Sequence, residues 1–366
     1  MQIDLKKIKK ILIIRPRAIG DVILTTPFIR NLKKTMPDAQ IDFLLEPFVA
    51  PVLYGNPNIN NILVFKRYAH KKELPAVAKM RKNEMQNISS NVKIFNNNMD
   101  MFFYINRQKY DIVFDLWGNF RTIIISVLSG AKYRVGFVYK LRKFFYNIPV
   151  APDIIPKYNV NYYFDLLKPL CIQPDNEQTE IYYSKEDEQY VANFINDLKK
   201  DNKKLIGINP MGSWITKRWP EEKFTELINL LLKELSDIKI ILIWGPGEID
   251  SVSKIKSFFK NNKEVIVAPE TNINQLAALI KKLDILVTND GAPKHIAVAV
   301  GTKTITIFGP TNYKSWGPAD DLRHIYIFSG IECAPCDKMI CKDKNMECMK
   351  KIEVKYVFEK IKMLIY

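Results

Sequence analysis

Residues 11–27 read Ile11-Leu12-Ile13-Ile14-Arg15-Pro16-Arg17-Ala18-Ile19-Gly20-Asp21-Val22-Ile23-Leu24-Thr25-Thr26-Pro27. Four consecutive apolar, mostly β-branched residues form a short fully buried strand, and Arg15 and Arg17 end the run well short of the apolar core of a secretory leader. The segment is therefore expected to be a first strand and not a signal peptide. A loop closing on Gly20 follows, and from Asp21 the apolar spacing turns helical through Met36. Strand, loop and helix in that order are the opening unit of a parallel α/β sheet, where ligands bind at the loops after the strands.

Working outward, the same alternation recurs. Ile41–Leu45, Ile62–Phe65, Ile112–Leu116 and Arg134–Phe137 read as further strands of a first lobe, assigned to residues 1–175. Within it, residues 66–109 break the pattern with ten basic and three acidic residues, a net +7, among Asn, Met and aromatics. This insertion is expected to be partly helical, mobile cationic surface, serving either as a solvated face or as a binding element. Val160–Leu170 reads as a helix. Residues 176–204 are expected to be a linker and a helix at Lys185–Lys199, capped by Ser184 with Asp187 three positions on. From Leu205 a second lobe, 205–350, shows strands at Leu205–Asn209, Ile240–Trp244, Glu264–Val267, Ile285–Thr288 and Thr304–Phe308. Its helices are expected to start near Pro220, Glu248, Asn272 and Pro293, and a C-terminal helix takes 351–366. The fold class is α/β with two doubly wound lobes, as a chain of 366 residues suggests.

Composition narrows the function. Lys and Arg number 55 against 39 Asp and Glu, a formal charge of +16 that favours anionic partners such as phosphates, nucleic acid or an acidic membrane surface. No apolar run reaches the length of a membrane span, so none is expected. Five cysteines are too few for a disulfide scaffold and suit a reducing cytoplasm; four of them, Cys333, Cys336, Cys341 and Cys348, crowd residues 333–348. That set has the number for a tetrahedral zinc site and equally suits a metal-free knuckle. Neither alternative gives it a catalytic role.

Four loops at strand ends carry chemistry. In the first, Asp21 sits at or beside a helix start, as a simple cap or as a carboxylate base. In Asn209–Pro220, Ser213, Thr216 and Lys217 with the backbone amides are placed to converge on a phosphate. Asn289–His295 puts Asp290, Gly291, Ala292 and His295 between a strand and a helix start, again a setting for an anion. In Trp244–Glu248, Glu248 either caps a helix or accepts ribose hydroxyls. Neither lobe contains G-x-G-x-x-G or G-x-x-x-x-G-K-[ST], so a dinucleotide fingerprint and a P-loop lose their main support.

These residues resemble the ADP-heptose:lipopolysaccharide heptosyltransferases, bacterial inverting glycosyltransferases. The likeness runs through residues 11–27, then "PDAQIDFLLEP", "NPNINNILVF", "KYDIVFDLWGNFRT", "KRWPEEKFTELI", "TNDGAPKHIAVAVGTKTITIFGPT" and the cysteine segment. The resemblance implies a GT-B architecture, two Rossmann-like lobes facing a central cleft, with the acceptor on the first lobe and the nucleotide sugar on the second. It implies that Asp21 is the catalytic base and Lys217 the cation on the diphosphate, with Asp290, Gly291, Ala292 and His295 at the sugar and phosphate end. Ser213 and Thr216 join the donor site, Glu248 aligns with a ribose-binding acid and Thr271 falls near adenine. Arg15, Arg17 and Arg121 are the candidate acceptor-binding residues. Ala292 departs from the pattern, which has glycine there, and its methyl narrows the backbone's approach to the diphosphate.

The implied reaction is a single displacement that moves a heptose from ADP-heptose to an acidic inner-core lipopolysaccharide acceptor with inversion, and it needs neither a cofactor nor a metal. The protein is expected in the cytoplasm, peripheral at the inner face of the membrane, held there by the insertion and by Lys132, Arg134, Lys140, Arg142 and Lys143. Two alternatives compete: a transferase of the same fold using another nucleotide sugar, and a basic nucleic-acid-binding protein with a cysteine zinc knuckle. No RRM, KH or helix-turn-helix signature accompanies the charge, which weighs against the second and against a nucleic-acid partner.

Overall fold

The structure, a computed structural model, describes residues 3–65, 91–138, 144–153, 155–318 and 321–366. The chain divides into two compact units, Met1–Tyr182 and Tyr183–Tyr366. The stretch 176–204 is shared between them. Residues 176–182 stay with the first unit, where Arg30 donates to the Gln178 carbonyl at 2.9 Å and pairs with Glu180. The helix Lys185–Lys199 belongs to the second and carries the Ser184–Asp187 capping box at its start.

In the first unit β1 (Lys10–Ile14), β2 (Gln40–Leu45), β3 (Asn61–Phe65), β4 (Val92–Phe95), β5 (Ile112–Asp115), β6 (Tyr133–Phe137) and β7 (Ile148–Val150) form one sheet. Its order is β4-β3-β2-β1-β5-β6-β7, and every pairing is parallel. Ile11, Leu12, Ile13 and Ile14 are fully buried, as a strand covered on both faces requires. The strand order reverses between β1 and β5, so the loops after those two strands flank an open crevice at the carboxyl edge of the sheet.

Three sequence expectations need correction here. The helix expected from Asp21 through Met36 is two, Ile19–Leu24 and Thr26–Thr35. Pro27 brings no N–H to the junction, and the Thr25 and Thr26 hydroxyls donate back to the carbonyls of Val22 and Ile23, each at 2.7 Å. Val160–Leu170 is likewise an α-helix at Asn159–Phe164 followed by a tighter helix at Asp165–Leu170 that contains Pro169. Much of the basic insertion, 66–90, lies outside the described residues, but its end is not loose surface. β4 joins the sheet edge, and the helix Asn98–Gln108 buries Met101 and Ile105 in a core with Phe95 and Val113. Asn97 caps that helix by accepting from the Asp100 amide at 2.9 Å.

In the second unit β8 (Lys204–Asn209), β9 (Ile238–Leu242), β10 (Val265–Val267), β11 (Ile285–Asn289), β12 (Lys303–Ile307) and β13 (His324–Ile327) form a parallel sheet. The order β10-β9-β8-β11-β12-β13 reverses between β8 and β11. Helices begin at Glu221, Ile249, Ile273 and Ala292, close to the starts expected from sequence. The C-terminal helix Val354–Ile365 lays Val357, Phe358 and Ile361 into the same core as Phe224, Leu227 and Ile228 of the helix Glu221–Glu234. β13 is an edge strand with only four residues, two of them half-exposed, so it has little apolar signal in sequence.

Candidate active site

In the first unit the loop after β1 and the loop after β5 meet at the point where the strand order reverses. Asp21 stands in the first turn of Ile19–Leu24, with its side chain 20% exposed. Arg15, at the end of β1, pairs with Asp21 and donates through its other terminal nitrogen to the Leu116 carbonyl at 3.0 Å. Its guanidinium lies 4.4 Å from the centre of the Trp117 ring. Arg15 is therefore placed to orient Asp21, and it lies beside the carboxylate where an acceptor-binding residue is expected. Arg17 is more open, 3.8 Å from Glu46 and 5.9 Å from the Trp117 ring. Arg121 donates to Asn98 Oδ1 at 2.6 Å and sits 4.7 Å over Phe65, tying the two helices of that face together.

Sequence reasoning missed Asp115 beneath this pair. It lies opposite Ile14 in the sheet and is fully buried. The amides of Trp117 and Gly118 donate to one of its oxygens at 3.0 and 2.9 Å, and the Tyr146 hydroxyl donates to the other at 2.8 Å. Burial pushes its carboxyl up against those hydrogen bonds. Tyr146 reaches it only because position 136 is glycine: a Cβ there would stand 2.5 Å from the ring. Asp115 thus fixes the turn that holds Trp117 and, through it, Arg15.

In the second unit Asp290 directly follows β11, with its side chain 3% exposed. Lys217 reaches its Oδ2 at 2.7 Å, the Thr311 hydroxyl donates to the same oxygen at 2.8 Å, and Lys294 lies 3.3 Å from Oδ1. Burial opposes the charge on Asp290, but Lys294 and Lys217 outweigh it and hold the carboxyl far below its usual range. One buried carboxylate thus gathers two ammonium groups, and Lys217, the less enclosed of the two, is the cation open to an anionic ligand. His295 is buried edge-on to Trp316, with ring centres 6.0 Å apart. Burial, with Lys294 and Lys217 adding to it and Asp290 opposing, pushes its pKa well below the usual value, which favours the neutral ring.

The loop that carries Lys217 is pinned by Asn289, which sequence reasoning had left among the motif's flanking residues. Asn289 is fully buried, accepts from the Trp219 amide at 3.0 Å and donates to the carbonyls of Pro210 and Met211 at 2.8 and 3.1 Å. Ser213 is exposed on that loop. Thr216 is not, and its hydroxyl donates to the Lys338 carbonyl at 3.0 Å, tying the loop to the cysteine-rich segment. Gly291 caps the helix Ala292–Val300 in an extended conformation, and Ala292 is that helix's first, half-buried residue. Glu248 accepts from the Gly245 amide at 2.8 Å, and burial pushes its carboxyl up while that bond and Arg218 pull it down. Thr271 is half-buried, immediately before the cap Asn272.

Cys333, Cys336, Cys341 and Cys348 are free thiols sharing one neighbourhood. Burial first, then the other three cysteines, push the Cys348 thiol up. Among the described residues no three His, Cys, Asp or Glu side chains are grouped to hold a metal ion.

Residues 102–347 match the family model described as glycosyltransferase family 9 (heptosyltransferase). A lipopolysaccharide heptosyltransferase 3 of Escherichia coli is 27% identical over 308 residues, covering 82% of this chain and 83% of its own. Among solved structures, a family 9 glycosyl transferase from Veillonella parvula superposes with a TM-score of 0.78 at 23% identity, covering 100% of this chain and 99% of that one. The E. coli ADP-heptose LPS heptosyltransferase II gives 0.73 at 19% identity, covering 97% and 98%. The likeness to these two structures establishes the shared fold.

Proposed function

The chain belongs to glycosyltransferase family 9, and from that premise we propose that it transfers a heptose from ADP-heptose to an acidic inner-core lipopolysaccharide acceptor, with inversion at the anomeric carbon. The names of its relatives support the donor and the acceptor class. The observation that carries the reading within this chain is the Lys217–Asp290–Lys294 cluster, a buried carboxylate holding two ammonium groups at the end of β11.

In the proposed step Asp21 takes the proton of an acceptor hydroxyl as that oxygen bonds to the anomeric carbon, and the carbon–phosphate oxygen bond breaks. Arg15 keeps the carboxylate pointed. ADP leaves carrying the charge that develops in the transition state. Lys217 meets that charge already in position and largely shielded from water, where such a group is worth most, while Lys294, enclosed between Asp290 and the Trp316 carbonyl, acts on it only through its field. His295, neutral, contributes an N–H and no charge.

The acceptor is lipid-linked, and a peripheral position at the inner face of the membrane goes with it. No helix among the described residues is long and apolar enough to cross a membrane. Exposed Met99, Phe103, Phe120 and Leu128 on the packed helices Asn98–Gln108 and Phe120–Leu128 support surface attachment. Lys140, Arg142 and Lys143 lie outside the described residues. The nucleic-acid alternative gives way to the family assignment.

Nucleotide release measured with ADP-heptose and a panel of other nucleotide sugars, on deacylated core acceptors, tests the reading. Turnover with ADP-heptose, giving a product of inverted anomeric configuration by NMR, is the expected result. Turnover with a different nucleotide sugar alone would leave the fold and the chemistry and overturn the donor; a retained configuration would overturn the single displacement.

A further inference from the structure

The cysteine-rich segment does not stand apart from the donor residues. The amides of Cys336 and Asp337 both donate to the Pro310 carbonyl, at 2.9 and 2.8 Å. The next residue, Thr311, donates to Asp290. On the other side of Asp337, the Lys338 carbonyl accepts from Thr216, the neighbour of Lys217. Asp337 is therefore bracketed by residues adjacent to both members of the Lys217–Asp290 pair, and its carboxyl responds to both: partial burial and Asp290 push it up and Lys217 pulls it down.

Two further features mark it. Its backbone has φ +53°, a left-handed conformation that costs a non-glycine residue energy and concentrates at functional sites. Among the described residues its exposed carboxylate accepts no hydrogen bond from the protein. An acid beside Lys217 does nothing for a bare diphosphate, but it suits a ligand that brings hydrogen-bond donors as well. A sugar does, and a carboxylate is acceptor-only.

We propose that Asp337 is a specificity-determining residue of the donor site, accepting a hydrogen bond from a hydroxyl of the transferred sugar while Lys217 holds the diphosphate. The proposal rests on the nucleotide-sugar reading above. It gives the cysteine-rich segment a purpose: its turn presents this carboxylate.

Calorimetric titration of the full chain with ADP and with ADP-heptose tests it. The variants Asp337→Gly and Asp337→Asn both tolerate the left-handed backbone. Asp337→Gly is expected to bind ADP-heptose ~10- to 100-fold more weakly while ADP binds as well as or better than in wild type, since a repelling charge is gone. Asp337→Asn, which keeps an acceptor oxygen, falls between. Equal weakening of both ligands in the two variants, or unchanged affinity for ADP-heptose, overturns the proposal. Wild type alone tests the donor reading: binding of ADP with no binding of ADP-heptose would remove that reading, and Asp337's role with it, before any variant is compared.

Discussion

Lowering the pH from about 7 to about 5 should destabilise the second unit through His324. This residue opens β13 with its side chain 1% exposed, its Nδ1 3.0 Å from the Thr304 hydroxyl and its Nε2 3.6 Å from Asp321. Burial lowers its pKa to about 4, against a pull upward from Asp321 and with Arg323 and Lys294 pushing the same way as burial. Above the unfolded value of about 6.5 both states are neutral and the group contributes nothing to pH dependence. As pH falls below that, the unfolded chain takes up a proton that the folded one refuses, so stability drops until the folded pKa is passed. With those two pKa values the loss at pH 5 is about 2 kcal/mol. Asp321, lowered to about 2, contributes stability that is lost only in stronger acid, below this window. His295 acts in the same direction as His324, so the comparison must be between wild type and His324→Gln, which has no proton to gain. Four of the five tryptophans, Trp214, Trp219, Trp244 and Trp316, lie in the second unit, so urea unfolding followed by fluorescence reports on it. The variant should lose about 2 kcal/mol less than wild type between the two pH values. Equal losses in the two proteins would refute the assignment of His324 as a buried neutral histidine.

Asn289→Ala should destabilise the second unit by roughly 2 to 4 kcal/mol, because it strands the buried Trp219 amide and two carbonyls, and should weaken ADP binding by releasing the Lys217 loop. Asn289→Asp should not rescue it, since the Pro210 and Met211 carbonyls need a donor; calorimetric titration with ADP and urea melts check both. Gly136→Ala should cost roughly 1 to 3 kcal/mol by driving the Tyr146 ring off Asp115, read as a lower melting temperature for the first unit. A melt indistinguishable from wild type would show that the Asp115 turn does not depend on Tyr146.

Legibility in the sequence followed burial. Ile11–Ile14 and Ile285–Asn289 are central parallel strands covered on both faces, so their apolar runs announce them. β4, β7 and β13 are short edge or near-edge strands with half-exposed or exposed residues, and periodicity has little to act on there. Helix starts were readable where a side chain caps its own helix, as Ser184 and Asn272 do. The break between Leu24 and Thr26 depends on Pro27 and on hydroxyl bonds that no spacing rule weighs together.

The site divides in the same way. Asp21, Lys217, Asp290 and His295 sit in loops that follow strands, and local chemistry singled them out. Arg15's engagement with Asp21, the reach of Tyr146 to the Asp115 turn, the Asn289 clamp and the approach of Asp337 to Lys217 join residues from 6 to more than 100 positions apart. They exist only once each sheet has formed and its order has reversed beside the central strand.

The most direct test of the account is turnover of Asp21→Asn, measured as ADP released from ADP-heptose with a deacylated core acceptor, beside its affinity for ADP-heptose. The account predicts a kcat at least ~100-fold below wild type with donor affinity and melting temperature unchanged, the signature of a lost general base. Turnover near that of wild type would contradict it.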